Sequence, residues 1–118
     1  RSAFANRPYT FDLALLGMGS DGHTASLFPE DDPSPTDPKW VRAVSAPPRH
    51  DIAQRLTCTL SILNAARQAF VLVSGASKRD TVHAALDEQD NRLPITRVQP
   101  REHLVWLLDE AARPTAVS

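Results

Sequence analysis

Cysteine is almost missing from these 118 residues: the single thiol, Cys58, excludes an internal disulfide and any multi-cysteine zinc site, which fits a reducing compartment. Charge of one sign is missing too. Thirteen basic residues face fourteen acidic ones for a formal net charge of -1, and the basic ones are spread along the chain, so no basic stripe for nucleic acid forms. No run approaches the roughly 18 apolar residues of a membrane span, and residues 1–10 lack the apolar centre of a secretion signal. A nucleic-acid or membrane partner is therefore not expected, and the cytoplasm is the expected compartment. Methionine occurs once, at Met18, while residue 1 is Arg, which is not expected of a natural translation start.

What the chain does have is proline, ten residues of it, and an alternation of short apolar runs with turns. Residues 11–16 are apolar except for Asp12 and end at Gly17, the pattern of a buried parallel strand feeding a tight turn. Residues 23–28 allow at most a short helix, because Pro29 follows and Pro33, Pro35 and Pro38 make residues 30–39 a surface loop. Strands are expected at 40–46 and 54–60, the latter with Leu56, Cys58 and Leu60 opposite Arg55, Thr57 and Thr59. Ser61 suits the N-cap of a short helix through Arg67. A strand at 69–73 ending near Gly75, a helix at 77–88, loop-like residues 91–100 and a last strand at 104–108 complete the reading. Strands alternating with helices and long connections predict a single α/β domain over residues 1–118, with a largely parallel sheet. Such a sheet needs cover on both faces, and two or three short helices are too little, so the domain reads as incomplete.

The motif Gly17-x-Gly19-x-x-Gly22 directly after a strand matches the dinucleotide-binding fingerprint. A dinucleotide turn opens a full helix, however, whereas Pro29 ends any helix here within about two turns. The proline-rich loop also stands where the second strand of that unit belongs. Gly75 to Lys78 likewise lacks the spacing of a nucleotide P-loop.

The longer string Gly17-Met-Gly-Ser-Asp-Gly-His-Thr-Ala-Ser-Leu-Phe-Pro29 resembles the central motif of the 6-phosphogluconolactonase family. Further segments similar to that family follow in order: Phe11-Asp12, Arg55-Leu-Thr-Cys-Thr59, Leu63-Asn64 with Ala66-Arg67, Val73-Ser-Gly-Ala-Ser-Lys78 and Trp106-Leu-Leu-Asp-Glu-Ala-Ala112. The resemblance covers nearly the whole chain but only the family's second half. The first half of the family, with a Ser/Gly-rich phosphate-contacting loop and an acidic-arginine motif, has no counterpart here. It implies a sugar-phosphate isomerase/deaminase-like fold and hydrolysis of 6-phospho-D-glucono-1,5-lactone in the oxidative pentose phosphate pathway, with no cofactor. The sugar-phosphate deaminases share the fold and the Asp-Gly-His element, and are the enzymatic alternative. Their motif continues to Asn-Glu-Pro, whose glutamate supports the catalytic histidine; here Leu27-Phe28-Pro29 stands in that place. The alternative outside enzymology is a truncated remnant that keeps the signature without binding substrate. The partners expected are the phosphosugar lactone and either the absent half of the domain or a second copy of the chain.

Lactone hydrolysis needs a base for water and donors for the oxyanion. His23 suits the base, since an ordinary imidazole is largely neutral at cellular pH. Asp21 either orients that imidazole, contacts sugar hydroxyls, or simply bonds turn amides. Gly17, Gly19 and Gly22 let backbone amides approach a substrate. Lys78, in the first turn of a helix where a positive charge opposes the dipole, matches the family's phosphate lysine. Arg55 matches a family arginine near the substrate. Asp21 and His23 with Asp31 or Asp32 would make a poor metal cage, so no metal is expected. His50, His83 and His103 are expected in solvent.

Overall fold

The computed structural model describes residues 11–114; the amino-terminal stretch read above as lacking a secretion signal lies outside them. Three parallel strands form the main sheet in the order β1 (Leu13–Leu16), β4 (Gln68–Val73) and β5 (His103–Leu108). The strands at 40–46 and 54–60 are real, as β2 (Val41–Ser45) and β3 (Gln54–Cys58), but they pair antiparallel as a separate ribbon. Eight residues, 46–53, join them, too few for the crossover of a dozen or more that a parallel pair requires.

Helices α1 (Leu60–Asn64) and α2 (Arg79–Leu86) follow β3 and β4, and 3-10 turns occupy Pro29–Asp31, Ala76–Lys78 and Pro94–Arg97. Leu60, Leu63 and Ala66 from the α1 region, Val82 and Ala85 from α2, and Ile95 and Val98 are buried in one core with Ala14, Leu16, Ala69, Val71 and Val73. The opposite sheet face carries Leu13, Leu15, Phe70, Leu72, Val105 and Leu107, which the register aligns across the three strands. Leu13, Leu15, Leu72 and Leu107 are exposed, Leu15 at 66%. Phe70 and Val105 are half-buried, so among the described residues the expected shortage of helical cover is a largely exposed apolar face.

Residues 23–28, allowed at most a short helix by the sequence, form none; Thr24 and Leu27 make an isolated bridge around Ala25, whose φ is 51°, and Pro29 opens a 3-10 turn. Two local readings differ from the structure. The N-cap of α1 is Thr59, not Ser61, and the helix stops at Asn64 because Asn64 turns to residues 97–99, accepting from the Gln99 amide at 2.8 Å and donating to the Arg97 carbonyl at 3.1 Å. The helix expected at 77–88 begins as a 3-10 turn, so Lys78 is the residue that caps α2 rather than one inside its first turn.

On β3 the alternation holds, but the polar face is the buried one. Thr57 and Thr59 are enclosed while Leu56 is 75% exposed. Each hydroxyl holds a loop: Thr57 Oγ1 accepts from the Ser26 amide at 2.9 Å, and Thr59 Oγ1 donates to the Lys39 carbonyl at 2.6 Å. Buried hydroxyls of this kind cost little because they are paired.

Candidate active site

The glycine turn leaves β1 at the C-terminal end of the sheet, where ligand sites of open α/β sheets gather. It closes on itself: the Gly19 amide donates to the His23 carbonyl and the Gly22 amide to the Gly19 carbonyl, both at 2.9 Å, while Thr24 Oγ1 donates to the Gly17 carbonyl at 2.8 Å. The amides of Gly19 and Gly22 are thus committed inside the turn. What glycine supplies at 19 is space, since a Cβ there would lie 2.1 Å from Cε1 and Nδ1 of His23. Gly22 has φ of 83° and abuts Leu93, so it admits no side chain on either count.

His23 and Asp21 meet directly. Asp21 Oδ1 lies 2.6 Å from His23 Nδ1 and accepts from the His23 amide at 3.1 Å. An ionised carboxylate can only accept, so Nδ1 carries a proton, and in the neutral imidazole the lone pair is then on Nε2. Asp21 thus contacts the imidazole and an amide of the turn at once.

The β2–β3 connection adds two residues that the sequence reading did not bring to the site. Arg49 donates through Nη2 and Nε to Asp21 Oδ2 and through Nη1 and Nη2 to Glu30. Burial works against the charged form of Asp21, yet the bonds from Arg49 and from the backbone and ring of His23 outweigh it and hold the carboxyl well below the usual carboxylate range. Glu30, bonded to the same guanidinium, is lowered as well, and Arg49 is raised, chiefly by Glu30 and then by Asp21. His50, expected in solvent, is instead turned inward: its ring centroid is 5.0 Å from that of His23 and 4.9 Å from that of Phe28. Its Nε2 is buried without a hydrogen bond, 3.5 Å from Asp21 Oδ2. The apolar Phe28 ring explains the placement, since it offers an imidazole a face to pack on. His103 is exposed as expected, while His83 is half-buried and paired with Asp87 at 2.7 Å.

Phe28 is fully buried, its ring 5.1 Å from that of His23 and 5.6 Å from the Arg55 guanidinium carbon. Arg55 therefore reaches the aromatic floor of the site, with its Nε donating to the Ile52 carbonyl at 2.8 Å. From the other side α2 grips the turn: Lys78 Nζ donates to the Met18 carbonyl at 2.5 Å and Thr81 Oγ1 to the Ser20 carbonyl at 2.6 Å. Ser20, Asp21, His23, Arg49 and His50 line an open depression between these elements.

Asp21, His23 and His50 offer donor atoms within 4.8 Å of one another, so the third member of the only such cluster among the described residues is His50, not Asp31 or Asp32. Asp32 pairs with Arg97 instead. Asp21 already accepts from His23 and from a guanidinium, and a cation would have to displace both.

A family profile described as glucosamine-6-phosphate isomerases/6-phosphogluconolactonase matches residues 1–106. The chain is 43% identical over 104 residues to 6-phosphogluconolactonase from Homo sapiens, covering 86% of this chain and 40% of that protein. It is 40% identical over 102 residues to 6-phosphogluconolactonase 3, chloroplastic, from Arabidopsis thaliana, covering 86% and 31%. The crystal structure of 6-phosphogluconolactonase from Leishmania guyanensis superposes with a TM-score of 0.70 at 34% identity, over 86% of this chain and 40% of that one. The chain thus spans less than half the length of the relatives it matches. From β1 and its glycine turn almost to the end of β5, it belongs to the glucosamine-6-phosphate isomerase/6-phosphogluconolactonase family.

Proposed function

We propose that the protein of which this chain is a part hydrolyses 6-phospho-D-glucono-1,5-lactone to 6-phospho-D-gluconate, a step of the oxidative pentose phosphate pathway, and that it works in the cytoplasm. The observation that carries this is the Asp21–His23 pair: with Nδ1 bonded to Asp21 at 2.6 Å, Nε2 is the nitrogen left to accept a proton from water. The activated water oxygen bonds to the lactone carbonyl carbon, the ester bond to the ring oxygen breaks, and the imidazolium returns the proton to that oxygen. Atoms and charge balance without a cofactor or metal. Lys78, with two ammonium hydrogens beyond the one given to Met18, serves the substrate phosphate. Arg55 and Gly17 are further substrate contacts.

Phe28 separates this reading from a deaminase. Where the deaminase motif carries a glutamate, a fully buried phenyl ring stands beside His23, and among the described residues the carboxylate paired with the imidazole is that of Asp21. The test is a lactone-depletion assay on the full-length protein, corrected for spontaneous opening, alongside an ammonia-coupled assay with glucosamine 6-phosphate. Lactone turnover without ammonia supports the proposal; steady ammonia release transfers it to the deaminases, and silence in both assays favours a remnant. The bare apolar face of the sheet is proposed as the seat of the remaining half of the family domain, since the chain accounts for less than half of its relatives' length and a parallel sheet is covered on both faces.

A further inference from the structure

We infer that Arg49 is a positioning residue for the proposed hydrolysis: clamped between Asp21 and Glu30, it holds Asp21 so that the free carboxylate oxygen meets Nδ1 of His23. The inference rests on the reading of His23 as the general base. Asp21 has two oxygens with divided duties. Oδ1 takes the amide and Nδ1 of His23, and Oδ2 takes Arg49. A carboxylate held at one end only would rotate about its last side-chain bond and lose the 2.6 Å contact with the imidazole. Held at both ends, it fixes the ring and its tautomer, a task that has large leverage because small misplacements of a reacting group are costly in rate.

Arg49 is itself anchored. Its guanidinium reaches Glu30 through two nitrogens, in the 3-10 turn that Pro29 opens, and its backbone belongs to the tip of the β2–β3 ribbon, where the His50 amide donates to the Pro47 carbonyl at 3.0 Å. One side chain therefore ties together the glycine turn, the turn after Phe28 and the ribbon tip. A planar fork is suited to two carboxylates at once, whereas an ammonium is a point charge. The charged and titratable groups facing the imidazole and its carboxylate are Arg49 and His50 from the ribbon tip, Glu30 beyond Arg49, Arg55 across Phe28 on β3, and Lys78 on the far side of the turn.

The test uses the full-length protein. Arg49→Ala is expected to lower kcat by about tenfold to a hundredfold while KM changes by less than about threefold, since the guanidinium nitrogens are engaged by Asp21 and Glu30. Arg49→Lys recovers part of the loss, and Glu30→Gln gives a smaller loss of the same kind. Nitrogen-15 spectra of the imidazoles provide a readout apart from turnover: His23 is the Nδ1–H tautomer in the parent and a mixture in Arg49→Ala. An unchanged tautomer and kcat overturn the inference, as does a fall in activity accompanied by a lower melting temperature and an unchanged tautomer. If His23→Ala keeps its turnover, the general-base reading fails, and the tautomer alone then decides whether Arg49 positions the pair.

Discussion

The ammonium of Lys78 lies 2.5 Å from the carbonyl oxygen of Met18, sixty residues earlier in the chain, so the cap of α2 is bonded to the middle of the glycine turn. That contact puts a positive charge beside the site and gives it a second, structural task. Lys78→Ala is expected to lower kcat/KM on 6-phosphogluconolactone by about tenfold to a hundredfold, the worth of one charge-assisted hydrogen bond. Activity on unphosphorylated gluconolactone, poor to begin with, changes little. Equal losses on both substrates would assign Lys78 to the turn alone.

His23→Ala is expected to keep the fold, because the bond from the Gly19 amide to the His23 carbonyl uses backbone only. Turnover of the full-length enzyme falls by about 10²- to 10⁴-fold, as for loss of a general base. Near-normal turnover removes His23 from the mechanism.

Gly19→Ala probes the same imidazole from below. Its methyl group would sit 2.1 Å from the ring as placed, so the ring must turn off Asp21. We expect kcat to fall by about a hundredfold with only a small drop in melting temperature, since a side-chain end can move where a backbone cannot. Retained activity would mean that the imidazole is not needed where the structure has it.

Asp21 ties stability to pH. Its folded carboxyl is held below the ordinary range, so its contribution is complete above the unfolded value of about 3.9 and is lost as pH falls from there toward the folded value. Compared by urea midpoints, the deficit of Asp21→Asn is expected to be the same at about pH 7 and pH 5 and to narrow below about pH 4. A deficit that already narrows near neutrality contradicts the strong hold of Arg49 and His23 on this group.

Residues 1–118 purified alone are expected to be inactive although they carry His23 and Lys78. Catalysis needs both held about one substrate, and the exposed Leu13, Leu15, Leu72 and Leu107 leave the sheet able to associate. Light scattering and a hydrolysis assay, with and without an added amino-terminal half from a family member, decide it. Full activity from a lone monomer refutes the proposal that the bare face seats the other half.

Local chemistry was legible in the linear order. Strand β1, the turn after it, the proline-rich loop and the later β–α–β order are written in short-range pattern and backbone restriction, which act between residues near in sequence. The pairing of Asp21 with His23 is local as well, two residues apart on one turn. The boundaries of α1 were not, because Thr59 and Asn64 bond to residues more than nineteen positions away and those bonds decide where α1 begins and ends.

By itself, then, the sequence determined the α/β class, the glycine turn with its acid–histidine pair, and the kinship that the long motif carries. Only the tertiary structure decided that β2 and β3 form an antiparallel ribbon, that Thr57 and Thr59 rather than Leu56 are the enclosed face of β3, and that Arg49 and His50 join the site. The reason is range: a motif is set by neighbours along the chain, whereas Arg49 meets Asp21 across twenty-eight residues, a contact that exists only once the ribbon has folded back over the turn.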